Sequence, residues 1–404
     1  MADAPAAAVR AVSAAILVNL VAVLSLFLTG AMSVQIGASM GVSAVRVGML
    51  ASVFAAATVA GSAPLGRMVG RWGIRRSLTV SALVAATGGV LAALAANPWM
   101  LAGALLLAGF GNALGQPAGN ALVASHVAER RFGIGFAIKQ SAIPLATTVA
   151  GLAVPLIALT VGWRWAYAAS GVVAAAAVFI VPPDAPAVPG RSESAVPSGA
   201  VRQLWMLALG MTSAVVAASS IGSLGAAGAV AAGLSPAAAG LLIAAGGVAG
   251  LAVRLAAGAS ADRWHFDSLH AVALLTAVGA VGWLLMAVGA GAAGDAGIFV
   301  VGLVVANAFG WGWPGLLHLA VARRFPTATA AASGVTMTGV ALGLVVGPTL
   351  LGSVTSTAGW GWAWATAALA ALIGSAAAYR ASGRLPHQPP SAEAASAFNG
   401  AGRA

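Results

Sequence analysis

The sequence has no cysteine, and only eight of its 404 residues are acidic. The missing cysteine excludes disulfides, thiol nucleophiles and cysteine-based metal sites. Charged residues of both signs make up 7% of the chain, hydrophobic residues 60%, and the mean hydropathy is +0.98. A soluble globular domain carries roughly 25% charged residues. A chain with so few cannot cover its own surface with polar groups, so its solvent is lipid. The acids are also badly placed for intramembrane work. Asp3, Glu129, Asp184, Glu193, Asp262, Asp267, Asp295 and Glu393 all fall in loops, tails or the edges of apolar runs. Proton carriers in membranes usually use a carboxylate in the pathway, so carboxylate-based proton coupling is disfavoured. Exchange, facilitated diffusion, or coupling through His318 or the substrate remain. An enzyme needs a nucleophile with its base, or a metal cluster. With no cysteine, no buried acid and scattered histidines, the sequence offers neither, and no metal or cofactor is expected.

What is present is a series of apolar runs near 11–37, 45–69, 77–96, 98–124, 132–158 and 163–182, resuming near 201–230, 236–258, 268–291, 295–320, 328–353 and 359–379. A spanning helix needs about 20 such residues, so twelve spans are expected. The first run is too long for the h-region of a signal peptide, roughly 7–15 residues, and reads as span 1. The runs lack the polar alternation of membrane β-strands. Between the two sets lies a Pro- and Ser-rich stretch, read as a linker over 183–202. Residues 381–404 read as a polar tail, leaving six-helix units at 1–182 and 203–380.

The net charge of +11 does not point to nucleic acid, because the positive residues sit in short turns. Arg67, Arg71, Arg75, Arg76, Arg130, Arg131, Arg191, Arg202, Arg263, Arg323, Arg324, Arg380 and Arg384 follow even-numbered spans, whereas mainly Arg46 and Arg164 mark the other side. By the positive-inside rule the basic side, with both termini, is cytoplasmic. The expected location is the inner membrane, with the bilayer and a small solute as partners and a monomer as the unit.

The two sets repeat one another. Gly66-Arg67-Met68-Val69-Gly70-Arg71-Trp72 aligns with Gly258-Ala259-Ser260-Ala261-Asp262-Arg263-Trp264. Arg130-Arg131-Phe132 aligns with Arg323-Arg324-Phe325, and Gly162-Trp163-Arg164-Trp165-Ala166-Tyr167 with Gly359-Trp360-Gly361-Trp362-Ala363-Trp364. Duplicated bundles with a midplane site between them are a common transporter design. Gly66 to Arg76 also resembles the loop signature G-x-x-x-D-R-x-G-R-R of the major facilitator superfamily. The resemblance covers nearly the whole chain. It implies that family's all-α membrane fold, two pseudo-symmetric six-helix bundles around a cavity lined by spans 1, 4, 7 and 10, and alternating access. It also implies a cytoplasmic gate, here Arg67, Arg71, Arg75, Arg76, Arg254, Asp262 and Arg263. The chain departs from the pattern at Gly70, where the family has an acid, and at His265, where it often has glycine. It also lacks the family's span-4 arginine, and the glycine-rich span-5 pattern is only partial around Gly151 and Pro155.

Within the spans, Lys139 lies about seven residues into span 5, roughly 10 Å along the helix. A cation there costs about 2.5–3.5 kcal/mol at mid-helix, and no membrane-embedded acid offsets it. Either an anionic substrate supplies the charge, or Lys139 snorkels to the interface or meets Glu129 or a loop carbonyl. Gln140 follows it. Asn112, Gln116 and Asn120 are spaced by four on span 4 and share a face, as a polar wall or as interhelical glue. Span 10 offers Asn307, Trp311 and His318, and span 1 offers Asn19. Pro117 and Pro314 correspond in the repeat and are expected to kink both helices. Trp99 and Trp163 read as interface anchors. The functional expectation is a transporter of a small organic solute, leaning to an organic anion. Export of lipophilic compounds through a Trp-lined cavity is the alternative, and a non-transporting receptor or scaffold is the rival of another class.

Overall fold

The structure is a computed structural model that describes residues 4–126, 135, 138–182, 196–264, 266–291, 294–325 and 328–385. Most of the linker, Arg130, Arg131, His265, the side chain of Asp262 and the tail beyond residue 385 lie outside the described residues. Every regular element among the described residues is helical.

Span 1 is the helix Ala4–Ala31, prolonged by Ser33–Met40. Span 2 comprises Ala44–Met49 and Ala51–Trp72, span 3 is Ile74–Ala93, and span 4 is Pro98–His126. Spans 5 and 6 form one apolar segment of 43 residues, Ile138–Ile180. At 1.5 Å per residue that is roughly 65 Å, twice the hydrocarbon thickness of about 30 Å, so it must turn once. Gly162 makes the turn, at φ +103°, in a region that side chains with a Cβ avoid. The repeat partner Gly359 has φ +92° and separates Thr329–Ala358 from Trp360–Ser382, spans 11 and 12. Span 7 is Ser198–Ala231, span 8 Pro236–Arg263 and span 9 Ser268–Gly289; span 10 comprises Ala296–Gly310 and Pro314–Arg324. The fold is therefore the twelve-span one expected.

Packing repeats as the sequence does. Span 3 lies against spans 4 and 6, and span 9 against spans 10 and 12; span 1 packs on span 5, and span 7 on span 11. The two sets meet where span 1 touches span 7, span 2 touches span 11, and span 5 touches span 8. The contact of span 5 with span 8 runs the length of both helices from Gln140 and Arg254, and the others lie towards the end away from the arginines. A methyl on Gly30 would overlap the carbonyl of Gly222, and one on Gly48 the carbonyl of Ser223. The Thr349 hydroxyl donates to Ser52 Oγ at 2.8 Å between spans 11 and 2. In span 5, Gly151 lies on the backbone of Gly240 and Ala244. Pro155 has no N–H to return to Gly151, Val154 takes that carbonyl instead, and the helix widens to π geometry over Val154–Gly162. At the arginine-rich end, by contrast, Gly66, Gly70 and Gly334 have no neighbour within 4 Å of a Cβ position. The molecule is closed at its arginine-poor end.

Candidate functional site

Two cations sit in the middle of the bundle, one from each set of spans. Lys139 is 1% exposed and its ammonium donates to Gln116 Oε1 at 2.5 Å, rather than reaching the arginine-rich surface. Gln116 Nε2 in turn donates to Asn112 Oδ1 at 3.3 Å, and Asn112 Nδ2 to Thr58 Oγ1 at 3.3 Å. The Thr58 hydroxyl reaches the carbonyls of Phe54 and Gly109, 3.0 Å each. The i, i+4 spacing of Asn112 and Gln116 lets one span-4 face hand this chain of amides from span 5 to span 2. Asn120 continues that face but is exposed. Asn19 approaches from span 1. A Cβ at Gly119 would stand 3.0 Å from Asn19 Nδ2 and 3.5 Å from Lys139 Cε, so only a glycine-sized gap separates the two side chains. Asn19 is 1% exposed, and neither its oxygen nor its nitrogen has a partner. Buried polar groups are normally satisfied, so an orphaned amide beside a buried ammonium marks a place built for another group.

On the other side, Arg254 of span 8 is 3% exposed. Its Nη1 donates to the carbonyl of Gln140 at 2.7 Å, and its Nη2 to the carbonyl of Trp311 at 2.5 Å. Its Nε has no partner. The sequence reading put Arg254 at the gate with Asp262; its guanidinium instead joins span 5 to span 10 beside Lys139. The cause lies in span 10, which breaks between Gly310 and Pro314. Pro117, its counterpart, sits inside a continuous helix, so span 10 breaks where span 4 does not. In a membrane the carbonyls freed by a break need internal partners. The indole of Trp313 takes Gly310 at 2.7 Å and Arg254 takes Trp311; within the helix that follows, His318 Nδ1 donates to the carbonyl of Pro314 at 2.7 Å. Trp311 is half-buried and stacks on Trp313, with centroids 6.3 Å apart. Asn307, one turn before Trp311, is 5% exposed, and its Nδ2 lies unpartnered against Gly246 of span 8. Lys139 and Arg254 both lie within electrostatic range of His318. Among the described residues no acid pairs with Lys139 or Arg254.

The remaining predicted residues disperse. Arg67, Arg71, Arg75, Arg76 and Arg263 are exposed at the arginine-rich end, where Arg76 lies over the ring of Trp72. Trp99 is 86% exposed, as an interface anchor would be. Trp163 differs: it is buried because its indole N–H finds Ser39 Oγ at 2.8 Å, while Arg164 stacks on its ring. The ion pair of Arg324 with Asp267, at 2.6 Å, escaped the sequence reading, which saw only a loop acid. Asp267 also accepts from Leu269 N at the start of span 9, and an aspartate directly before an apolar run is the signal that would have revealed it. Partial burial pushes its carboxyl up, but the Arg324 and Leu269 hydrogen bonds outweigh that and hold it below the usual carboxylate range. Thr58 carried no signal, being one hydroxyl among many. Two open clefts of the surface lie elsewhere, one against Gln203, Arg380 and Arg384, the other against Trp360 and Trp362.

A twelve-span bundle in two packed sets, enclosing buried cations and amides, defines a transporter fold. The sequence profile described as Major Facilitator Superfamily matches residues 15–317, and the chain belongs to that superfamily of transporters. Among solved structures it is similar to a bacterial homologue of the human lysosomal transporter Spinster. In the inward-facing and occupied conformation of that protein the TM-score is 0.72 at 15% identity, covering 94% of this chain and 98% of that one. In the inward-facing and unoccupied conformation it is 0.72 at 13% identity, covering 95% and 99%. No curated protein matches the chain.

Proposed function

We propose that this transporter carries a small organic anion, held between Lys139 and Arg254 at the junction of the two bundles. The observation that carries the proposal is the pair of buried cations whose hydrogen-bond partners among the described residues are all neutral: Gln116 Oε1 for one, the carbonyls of Gln140 and Trp311 for the other. Each such cation costs about 2.5–3.5 kcal/mol at the centre of a membrane. An anion between them repays part of that cost only while bound, which is what a carrier requires. Asn19, Gln116, Asn112, Asn307 and Trp311 would complete the walls, and Asn120 and His318 would flank the approach.

The proposed moving bodies are residues 1–182 and 203–380, joined through 183–202. Arg67, Arg71, Arg75, Arg76 and Arg263, with Asp262, would form the gate at the arginine-rich end. By the positive-inside rule that end would face the cytoplasm, with both termini on that side of the inner membrane, and the working unit would be a monomer closed on its outer side. Without bound cargo the two charges have no counter-ion, which disfavours reorientation and favours exchange. A lipophilic cation would be repelled by the same two charges, although the stacked Trp311 and Trp313 offer it an aromatic surface.

Uptake of labelled carboxylates into proteoliposomes tests the proposal and separates a carrier from a non-transporting receptor. Wild type should accumulate carboxylates, and Lys139→Gln should lose at least about tenfold in rate, the equivalent of 1.4 kcal/mol. Equal uptake by both proteins would remove the anion site.

A further inference from the structure

We infer that the site is built for a dianion, with one acid group for each bundle, so that the substrate class is a compact dicarboxylate. This rests on the anion reading above and goes further in counting charges and subsites. Spans 1–6 contribute a cation with an orphaned amide beside it: Lys139, and Asn19 across the glycine-sized gap at Gly119. Spans 7–12 contribute a cation and an orphaned amide about two turns apart along span 8: Arg254, and Asn307 with its Nδ2 against Gly246. Arg254 and Gly250 are one turn apart on span 8, Asn307 and Trp311 one turn apart on span 10. The backbone oxygen of Asn307 lies 3.4 Å from a Cβ position at Gly250, while Trp311 accepts from Arg254. Arg254 and Asn307 therefore share one helix–helix seam.

The unused hydrogen-bonding capacity matches a dicarboxylate. Arg254 Nε, Asn307 Nδ2 and Asn19 Nδ2 are buried donors with no acceptor. The ammonium of Lys139 has spent one hydrogen on Gln116 and has three to give. An ionised carboxylate accepts at two oxygens and offers no donor. Two carboxylates supply one negative charge for each cation and acceptors for the orphaned N–H groups; one carboxylate supplies a single charge against two. Asn19 Oδ1, the one orphaned acceptor of the set, faces no donor of such a ligand and fits a hydroxyl on its carbon chain. The two cations come from opposite bundles, and Arg254 already donates across the seam to Gln140. A dianion thus ties the bundles together at the point about which they would rock.

The test is binding at neutral pH to the purified full-length protein, by thermal shift and titration calorimetry, of malonate, succinate and glutarate against their monomethyl esters. Each ester keeps the skeleton and loses one charge. The expected result is that at least one dicarboxylate binds about tenfold or more tighter than its own ester, and that Arg254→Gln brings the two affinities towards equality. Esters that bind as tightly as their parent acids overturn the dianion inference and leave the anion reading standing. Binding of neither acids nor esters overturns both. The wild-type comparison decides by itself, so a variant that fails to fold leaves the test intact.

Discussion

Replacing Gly30 by alanine should open the arginine-poor end of the molecule. The added Cβ would overlap the carbonyl oxygen of Gly222 and stand 2.8 Å from its carbonyl carbon. Both are backbone atoms of span 7 and cannot rotate away as a side chain would. Overpacking of this kind costs roughly 1–3 kcal/mol, and the cost falls only on the arrangement in which spans 1 and 7 touch. At about 1.4 kcal/mol per tenfold, the equilibrium between closed and open forms of that end should move by roughly 5- to 150-fold. The absence of native cysteine makes the shift measurable without background. A single cysteine at Ser52, whose hydroxyl meets Thr349 across the interface, should react with a membrane-impermeant maleimide faster by about that factor in the Gly30→Ala protein. An unchanged labelling rate in a protein of unchanged melting temperature would refute the reasoning, because the contact would then not belong to the closed state.

Four further outcomes follow from the same geometry. Lys139→Met should abolish anion uptake while leaving the melting temperature equal or higher, since replacing a buried charge by an apolar side chain of similar volume is often neutral or stabilising; a marked loss of stability would assign Lys139 a structural role. Gly162→Ala should cost about 1–3 kcal/mol in an unfolding titration, the usual penalty for a side chain in a glycine-only conformation, whereas Gly103→Ala, with open space at its Cβ position, should be silent. Asp267 has a folded-state pKa below its unfolded one, so its stabilising contribution is present above the unfolded pKa and is lost as pH falls through the folded one. The difference in melting temperature between wild type and Asp267→Asn should accordingly be full at neutral pH and shrink only under acid conditions; a difference independent of pH would mean that the charge contributes nothing. Finally, a carboxylate loaded inside proteoliposomes should accelerate uptake of labelled carboxylate from outside, and uptake indifferent to internal substrate would contradict exchange.

The global architecture was readable because the bilayer imposes it. Twelve apolar runs with basic even-numbered turns leave few alternatives, and the Gly-Trp repeat falls where the structure turns, at Gly162 and Gly359. The repeat does not distinguish Pro117 from Pro314. Identical residues in corresponding places gave one continuous helix and one broken one, because only span 10 has Arg254 and Trp313 at hand to take the freed carbonyls. The amide stripe on span 4 was visible from its spacing. That Gln116 meets Lys139 depends on how two helices 23 positions apart in sequence pack, which periodicity does not encode. Arg254 was misplaced because eight residues separate it from Asp262, and distance along a helix was read as proximity to the gate. Trp163 was taken for an interface anchor because its partner, Ser39, lies 124 residues away.

The central claim is that Lys139 belongs to an anion site. The most direct measurement is thermal stabilisation of the detergent-purified protein by small carboxylates, neutral solutes and lipophilic cations, with wild type and Lys139→Gln side by side. A ligand at a hundred times its dissociation constant adds about 2.7 kcal/mol, well above the resolution of a melting curve. The account predicts that carboxylates stabilise the wild type and not the variant. Stabilisation of both proteins alike by lipophilic cations, with none by carboxylates, would contradict it.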